Sequence, residues 1–259
     1  MKTLMLGNEA VARGLYEAGV KVVSSYPGTP STEITEAAAL YDEIYTEWAP
    51  NEKVAFEVAF GAATGGARSF CAMKHVGLNV AADPLYTASY IGVNGGMVCA
   101  VADDPGMHSS QNEQDSRNHA IASKTPMLEP CDSAECLYYT KLAFELSEKF
   151  DVPFLLRLST RVSHSRSLVE TSPRVEIPLK DYKKDVQKNV MMPAMARIRR
   201  QVVEKRNNEI LEWAETSGIN QVEYNDTRIG IVCAGTSYLY AREALGQRAS
   251  YFKLGMVNP

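Results

Sequence analysis

Short β-rich runs and longer helical patterns take turns along residues 1–160, and that alternation constrains the fold more than any other feature of the chain. "VKVVSSYP", "IYTEWAP", "RSFCAMK", "GGMVCAVADD", "PMLEP" and "VPFLLRLST" are expected strands. Between them, "STEITEAAALYDE", "NEKVAFEVAFGAATGGA", "LNVAADPLYTASYIG", "EQDSRNHAIASK" and "SAECLYYTKLAFELSEKFD" are expected helices. Strands that alternate with helices wind into an α/β fold with a doubly wound, largely parallel sheet. "MVCAVA" and "FLLRL" lack polar alternation, which suits strands covered on both faces. Ligands of such sheets bind beyond the carboxyl ends of the strands. The loops after Ser25, Lys74, Ala102 and Ser159 are therefore the informative ones. The opening stretch, "MKTLMLGNEAVARGLYEAG", has too short an apolar run for a secretory signal and reads as a helix.

The pattern changes at about residue 161. "RVSHSRSLVETSPRVEIPLKDYKKD" is polar and irregular. "PAMARIRRQVVEKRNNEILEWAETS" is a charged helix with Ile198, Val202, Ile210 and Trp213 near one stripe, read as a connector packed against a neighbouring domain. Its Arg197, Arg199 and Arg200 read as a solvated face rather than a nucleic-acid patch. "DTRIGIVCAGTSYLYAREAL" then opens a fresh strand–turn–helix, with "SYFKLGMVNP" as the next strand. Two strands and a helix cannot bury a core of their own. The expected division is a domain over residues 1–160, a linker with the charged helix over 161–225, and over 226–259 the start of a second α/β domain that is cut short or leans on another chain.

Bulk properties remove whole classes of function. The net charge of -4 implies no general affinity for nucleic acid, and no apolar run is long enough to span a bilayer. The five cysteines form no CxxC pair and most sit in apolar runs. They read as buried, reduced thiols of a cytoplasmic protein, so no zinc or iron–sulfur site is expected from this chain alone. No metal ligands are expected. Neither GxSxG nor GxGxxG is present, which leaves a serine hydrolase or a dinucleotide binder without support.

Four stretches could carry chemistry. In "NEKVAFEVAFGAATGGAR", Glu57 is the lone charge between Val54 and Ala67. A helix apolar all round is a buried helix, and a buried carboxylate needs a partner or a proton. Glu57 is then either a rim pair with Lys53, four residues earlier, or a functional carboxylate that binds a heterocyclic nitrogen or moves a proton. "SSYPGTPSTEI" places Pro27, Gly28, Thr29, Ser31 and Thr32 in a tight loop at a helix start, either a plain capped turn or a seat for a carboxylate. "MKHVGLNVAADP" carries Lys74 and His75 on a turn that needs no chemistry to explain it. "ADDPGMHSSQNEQDSR" gathers Asp103, Asp104, His108, Ser109, Ser110, Gln111 and Asn112 into a loop that reads as plain polar surface, with a metal site as the alternative.

Taken together, these stretches and "RVSHSR" resemble the amino-terminal region of the thiamine-diphosphate-dependent 2-oxoacid:ferredoxin oxidoreductases, closely over residues 1–170 and in particular the alpha subunits that act on indolepyruvate. The resemblance implies that residues 1–160 bind the pyrimidine end of thiamine diphosphate, and that residues 226–259 begin a transketolase C-terminal-like domain. It implies that Glu57, in a dry helix, hydrogen-bonds N1' of the cofactor's aminopyrimidine ring. Pro27, Gly28 and Thr29 would line the ring, with Thr29 and Ser31 near the substrate carboxylate. His75, Gly77 and Asn79 would flank the pyrimidine, and Ser109, Ser110, Gln111 and Asn112 would border the substrate entrance. The reaction implied is oxidative decarboxylation of indolepyruvate or another aryl-pyruvate, with CoA as acyl acceptor and ferredoxin as electron acceptor. Pyruvate, a branched-chain 2-oxo acid or 2-oxoglutarate is the alternative substrate, and a non-catalytic assembly module is the alternative role. The Mg²⁺-binding GDG…N motif and the cysteine runs for [4Fe–4S] clusters do not occur here. They are expected on absent or partner sequence, so the active site would form in a homo- or hetero-oligomer where Glu57 meets a diphosphate-binding domain.

Overall fold

The computed structural model describes residues 2–259. In chain order its elements are β1 (Lys2–Leu6), α1 (Gly7–Glu17), β2 (Val22–Ser25), α2 (Thr32–Ala38), β3 (Tyr45–Trp48), α3 (Glu52–Thr64), β4 (Ser69–Lys74), α4 (His75–Val80), α5 (Ala82–Ile91), β5 (Met97–Asp103), α6 (Arg117–Ser123), β6 (Met127–Leu128), α7 (Ser133–Phe150), β7 (Phe154–Ser159), α8 (Thr160–His164) and β8 (Arg166–Glu170). Then follow α9 (Val186–Asn189), α10 (Pro193–Thr216), β9 (Gln221–Glu223), β10 (Gly230–Ala234), α11 (Gly235–Leu245), β11 (Ser250–Leu254) and β12 (Met256–Asn258).

The central sheet has seven strands in the order β12-β6-β7-β5-β4-β2-β3, parallel throughout except at β12. Alternation of side chains sends Phe70, Ala72, Val98, Ala100, Phe154 and Leu156 into a core under α1 and α7. Their neighbours Cys71, Met73, Cys99, Val101 and Leu155 enter a second core under α3, α4 and α5. Both faces are covered, which is why the strands are apolar without a break. The expected α/β doubly wound sheet is what the chain forms. The helices expected from Asn51 and from Ser133 onward both form, capped by Asn51 and Asp132, whose side chains accept from the Val54 and Glu135 amides.

Several local expectations are corrected. The opening stretch is not one helix: Lys2–Leu6 is a strand, paired antiparallel with Arg166–Glu170 in a two-stranded ribbon. That pairing also gives regular structure to part of the segment read as irregular. "LNVAADPLYTASYIG" breaks into α4 and α5 at Ala81, so that Pro84 falls in the first turn of α5, where no amide hydrogen is needed. The buried stripe of α10 is Val203, Arg206, Ile210 and Ala214, whereas Ile198 is 58% exposed. Arg199 is not solvated, since its guanidinium donates to the Tyr90 and Ile91 carbonyls at the end of α5. Finally, "SYFKLGMVNP" is two strands in two sheets. β11 joins β10 and β9 in a three-stranded sheet, and β12 returns to the edge of the central one. The switch is at Gly255, where a Cβ would lie 2.5 Å from both the Ile219 carbonyl and the Tyr139 hydroxyl.

All five cysteines are free thiols, and Cys71 and Cys99 are cross-strand neighbours. Among the described residues no helix is long and apolar enough to cross a membrane.

Candidate active site

β2, β4, β5 and β7 are adjacent and parallel, so Ser25, Lys74, Asp103 and Ser159 end at one edge of the sheet. Beyond β2, the Ser31 amide and hydroxyl both donate to the Gly28 carbonyl at 2.8 Å, and the Gly28 amide donates to Thr32 Oγ1 at 2.9 Å. Asn8 of α1 donates to the Pro30 carbonyl at 2.7 Å and fixes the loop from behind. Pro27 and Thr29 are exposed, and Thr29 makes no hydrogen bond among the described residues. Gly28 is needed for close approach: a Cβ there would lie 3.0 Å from Lys74 Cβ.

α4 follows β4 directly. His75 is fully buried; its Nε2 lies 3.3 Å from the Asn112 carbonyl, while Nδ1 has no partner. Gly77 packs on Glu52 at the start of α3, leaving 2.5 Å for a Cβ. Asn79 is exposed and joins Gln114 and His119 through its two side-chain atoms.

Asp104 organises the loop after β5. Its carboxylate accepts from the Ser109 amide (2.7 Å), the Ser110 hydroxyl (2.6 Å) and the Thr160 hydroxyl (2.7 Å). Burial pushes its carboxyl up, but these bonds outweigh that and hold it well below the usual carboxylate range. Lys74 Nζ donates to the Ser109 carbonyl at 2.6 Å. The four loops picked out from the sequence are thus linked in series: Gly28 packs on Lys74, Lys74 and His75 meet Ser109 and Asn112, and Asp104 joins Ser109 and Ser110 to Thr160. Gln111 is exposed in the same loop. No group of three or more His, Cys, Asp or Glu side chains among the described residues is arranged to hold a metal ion.

Beneath the loops lies a charged cluster with no local sequence signal. Arg157 of β7 donates to Asp103 at 2.8 Å and to Glu129 at 2.7 Å. Glu129 Oε2 is buried without a hydrogen bond, with the Arg117 guanidinium 3.9 Å away, and burial raises the carboxyl; Arg157 and Arg117 oppose that rise, and the Asp103 charge adds to it. Glu129 Oε1 abuts Gly235, the first residue of α11. A cleft of about 600 Å³ opens beside it, between α8 and α11.

Glu57 does not sit in a dry helix. α3 buries Ala55, Phe56, Ala59 and Ala63 against the sheet. Its other side presents half-buried Val54, Val58 and Ala62 with exposed Gly61 and Gly65, and Glu57 stands among them with its side chain 51% exposed. Nothing lies within 4 Å of a Cβ placed on Gly61. Lys53 is 4.0 Å away and is held more closely by Asp83, at 2.9 Å. No hydrogen bond or ion pair among the described residues joins Glu57 to Thr29, His75 or the Ser109–Asn112 loop. The apolar composition of this helix face reflects a bare surface rather than burial by the chain itself.

Known proteins resemble the chain over most of its length. Residues 13–226 match the family described as pyruvate flavodoxin/ferredoxin oxidoreductase, thiamine diphosphate-binding. An indolepyruvate oxidoreductase subunit IorA from Archaeoglobus fulgidus is 45% identical over 253 residues, 94% of this chain and 41% of that protein. One from Methanothermobacter thermautotrophicus is 45% identical over 268 residues, 100% of this chain and 43% of that protein. A 2-oxoglutarate synthase subunit KorA from the latter organism is 28% identical over 181 residues, 66% of this chain and 48% of that protein. The chain therefore spans less than half the length of these curated relatives. In fold it is similar to the solved 2-oxoglutarate:ferredoxin oxidoreductase from Magnetococcus marinus, with a TM-score of 0.79 and 18% identity over 100% of this chain and 54% of that one.

Proposed function

This chain belongs to the thiamine-diphosphate-binding family of the pyruvate flavodoxin/ferredoxin oxidoreductases, and from that premise we propose that it is the pyrimidine-binding part of an indolepyruvate:ferredoxin oxidoreductase. The reaction is oxidative decarboxylation of an aryl 2-oxo acid to its acyl-CoA, with electrons passing to ferredoxin. The indolepyruvate relatives, at 43–45% identity, support this substrate over 2-oxoglutarate, whose relatives stand at 27–28%. Residues 1–160 would form the pyrimidine domain, 161–225 the linker and 226–259 the start of a transketolase C-terminal-like domain, from which β12 returns to the edge of the first domain's sheet. The free thiols support a cytoplasmic setting.

The observation that carries the reading is Glu57, a lone carboxylate on a helix face among half-buried Val54, Val58 and Ala62 and exposed Gly61 and Gly65, with Lys53 4.0 Å away. A diphosphate-binding domain laid on that face would take Glu57 out of water, where a hydrogen bond to a ring nitrogen is strengthened. Glu57 would hold N1' of the aminopyrimidine and a proton there. Pro27, Gly28 and Thr29 would line the ring, and His75, Gly77 and Asn79 would flank it. The orphaned Nδ1 of buried His75 supports a polar guest at that point. Ser31, Ser109, Ser110, Gln111 and Asn112 would border the substrate. Thiamine diphosphate, when bound, supplies the nucleophilic carbon and the electron sink for decarboxylation. Mg²⁺ and the [4Fe–4S] clusters would sit on sequence outside this chain, in an oligomer with a second subunit.

The test is Glu57→Gln in the assembled enzyme. Cofactor affinity by calorimetry should fall, and proton exchange at C2 of bound thiamine diphosphate should drop on the order of 10²-fold or more. The melting temperature of this chain alone should be unchanged, since the side chain is half exposed. Undiminished exchange would refute the assignment. Absence of cofactor affinity both with and without the complementary chain would favour a non-catalytic assembly module.

A further inference from the structure

We propose that Lys74 binds the carboxylate of the 2-oxo acid and is a specificity-determining residue of the site; this rests on the reading just given. Lys74 is the last residue of β4, between β2 and β5 in the sheet. Its stem lies along Gly28, beside the Thr29 loop, and its ammonium reaches the Ser109 carbonyl at 2.6 Å. One side chain thus spans the two loops between which a substrate would enter.

Its charge is uncompensated. Among the described residues Lys74 makes no ion pair, and its one hydrogen bond goes to a neutral carbonyl. An ammonium has three N–H donors, so two remain free. The other cations around this edge are committed: Arg157 to Asp103 and Glu129, Arg117 to Asp115, and Lys53 to Asp83. Arg161 also lacks an ion pair but stands over Tyr240, in the cleft beside α11. A half-buried cation without a counter-charge gains most from an incoming anion. The exposed Thr29 hydroxyl, free of any partner, is on the loop that Lys74 packs against and offers a second donor. A carboxylate entering there accepts from Lys74 Nζ and Thr29 Oγ1.

The test compares Lys74→Met, which keeps the stem, and Lys74→Arg, which keeps the charge, in the assembled enzyme. Two probes are used: indolepyruvate, and indoleacetaldehyde, which lacks the carboxylate. In Lys74→Met, kcat/KM for indolepyruvate should fall about 10- to 100-fold, mostly through KM. For the aldehyde it should change less than about twofold, and proton exchange at C2 of bound cofactor should persist. Lys74→Arg should recover part of the loss. Equal losses on both probes, or an unchanged KM for indolepyruvate, would overturn the proposal, because a purely structural role for Lys74 does not distinguish them. A separate arm measures reductive methylation of Lys74 in the wild-type complex. Protection by indolepyruvate supports the proposal, and its absence overturns it. Wild-type enzyme that shows neither C2 exchange nor turnover sinks the assignment of function instead, and the methylation arm still decides whether Lys74 holds a carboxylate.

Discussion

The two larger sheets of this molecule are built on different terms. In the central sheet both faces are roofed by helices, and β4, β5 and β7 are buried along almost their whole length. The three-stranded sheet is roofed on one face only. Tyr251 and Lys253 point inward, Tyr251 fully buried and Lys253 paired with Glu135 of α7. Val222, Phe252 and Val232, cross-strand neighbours, form a row on the other face, and Val232 is 69% exposed. The first sheet is held by its own core; the second is held by attachment to the first.

That contrast can be broken or sharpened by substitution. Phe70→Ala empties a fully buried site in the central core and should cost about 3–5 kcal/mol in denaturant unfolding. Gly255→Ala drives a methyl into the Ile219 carbonyl and the Tyr139 hydroxyl, and should cost about 1–3 kcal/mol. Its amide exchange should rise in β11 and β12 before it rises in β4 or β5; uniform exchange would mean that the small sheet is no more weakly held than the large one. Asp104→Asn should cost about 1 kcal/mol at neutral pH, by weakening the bonds that tie residues 105–113 to the start of α8. Because the folded carboxyl of Asp104 is depressed, its contribution is complete above the ordinary value near 3.8 and is lost as pH falls through the folded value. The gap between variant and wild type should therefore close only in strong acid. Val232→Ala, on the bare face, should change stability by less than about 0.5 kcal/mol.

What was legible in the sequence follows the same division. Unbroken runs such as "MVCAVA" announce a strand covered on both sides, and Asn51 and Asp132 announce helix starts, because these signals are local. The β1–β8 ribbon joins Lys2 to Glu170, and nothing in either segment names the other. Lys74, Asp104 and the Arg157–Asp103–Glu129 cluster were visible only as charges, since their roles depend on which loops the sheet brings side by side. Glu57 is the sharpest case. Apolar neighbours announce that a helix face avoids water, but not whether its cover comes from the same chain. The sequence singled out Glu57 and mistook its surroundings, which are half open to solvent.

β12 ends the small sheet's excursion by returning to β6, just as α10 begins it by docking on α5. The intervening stretch is therefore a bight, pinned at both ends. Should it melt, its ends would stay put, and the freedom gained would be that of a closed loop, which grows only with the logarithm of its length. Fraying of the small sheet would reach the loops at the edge of the large one only where α11 meets them, at Glu129 and Arg161.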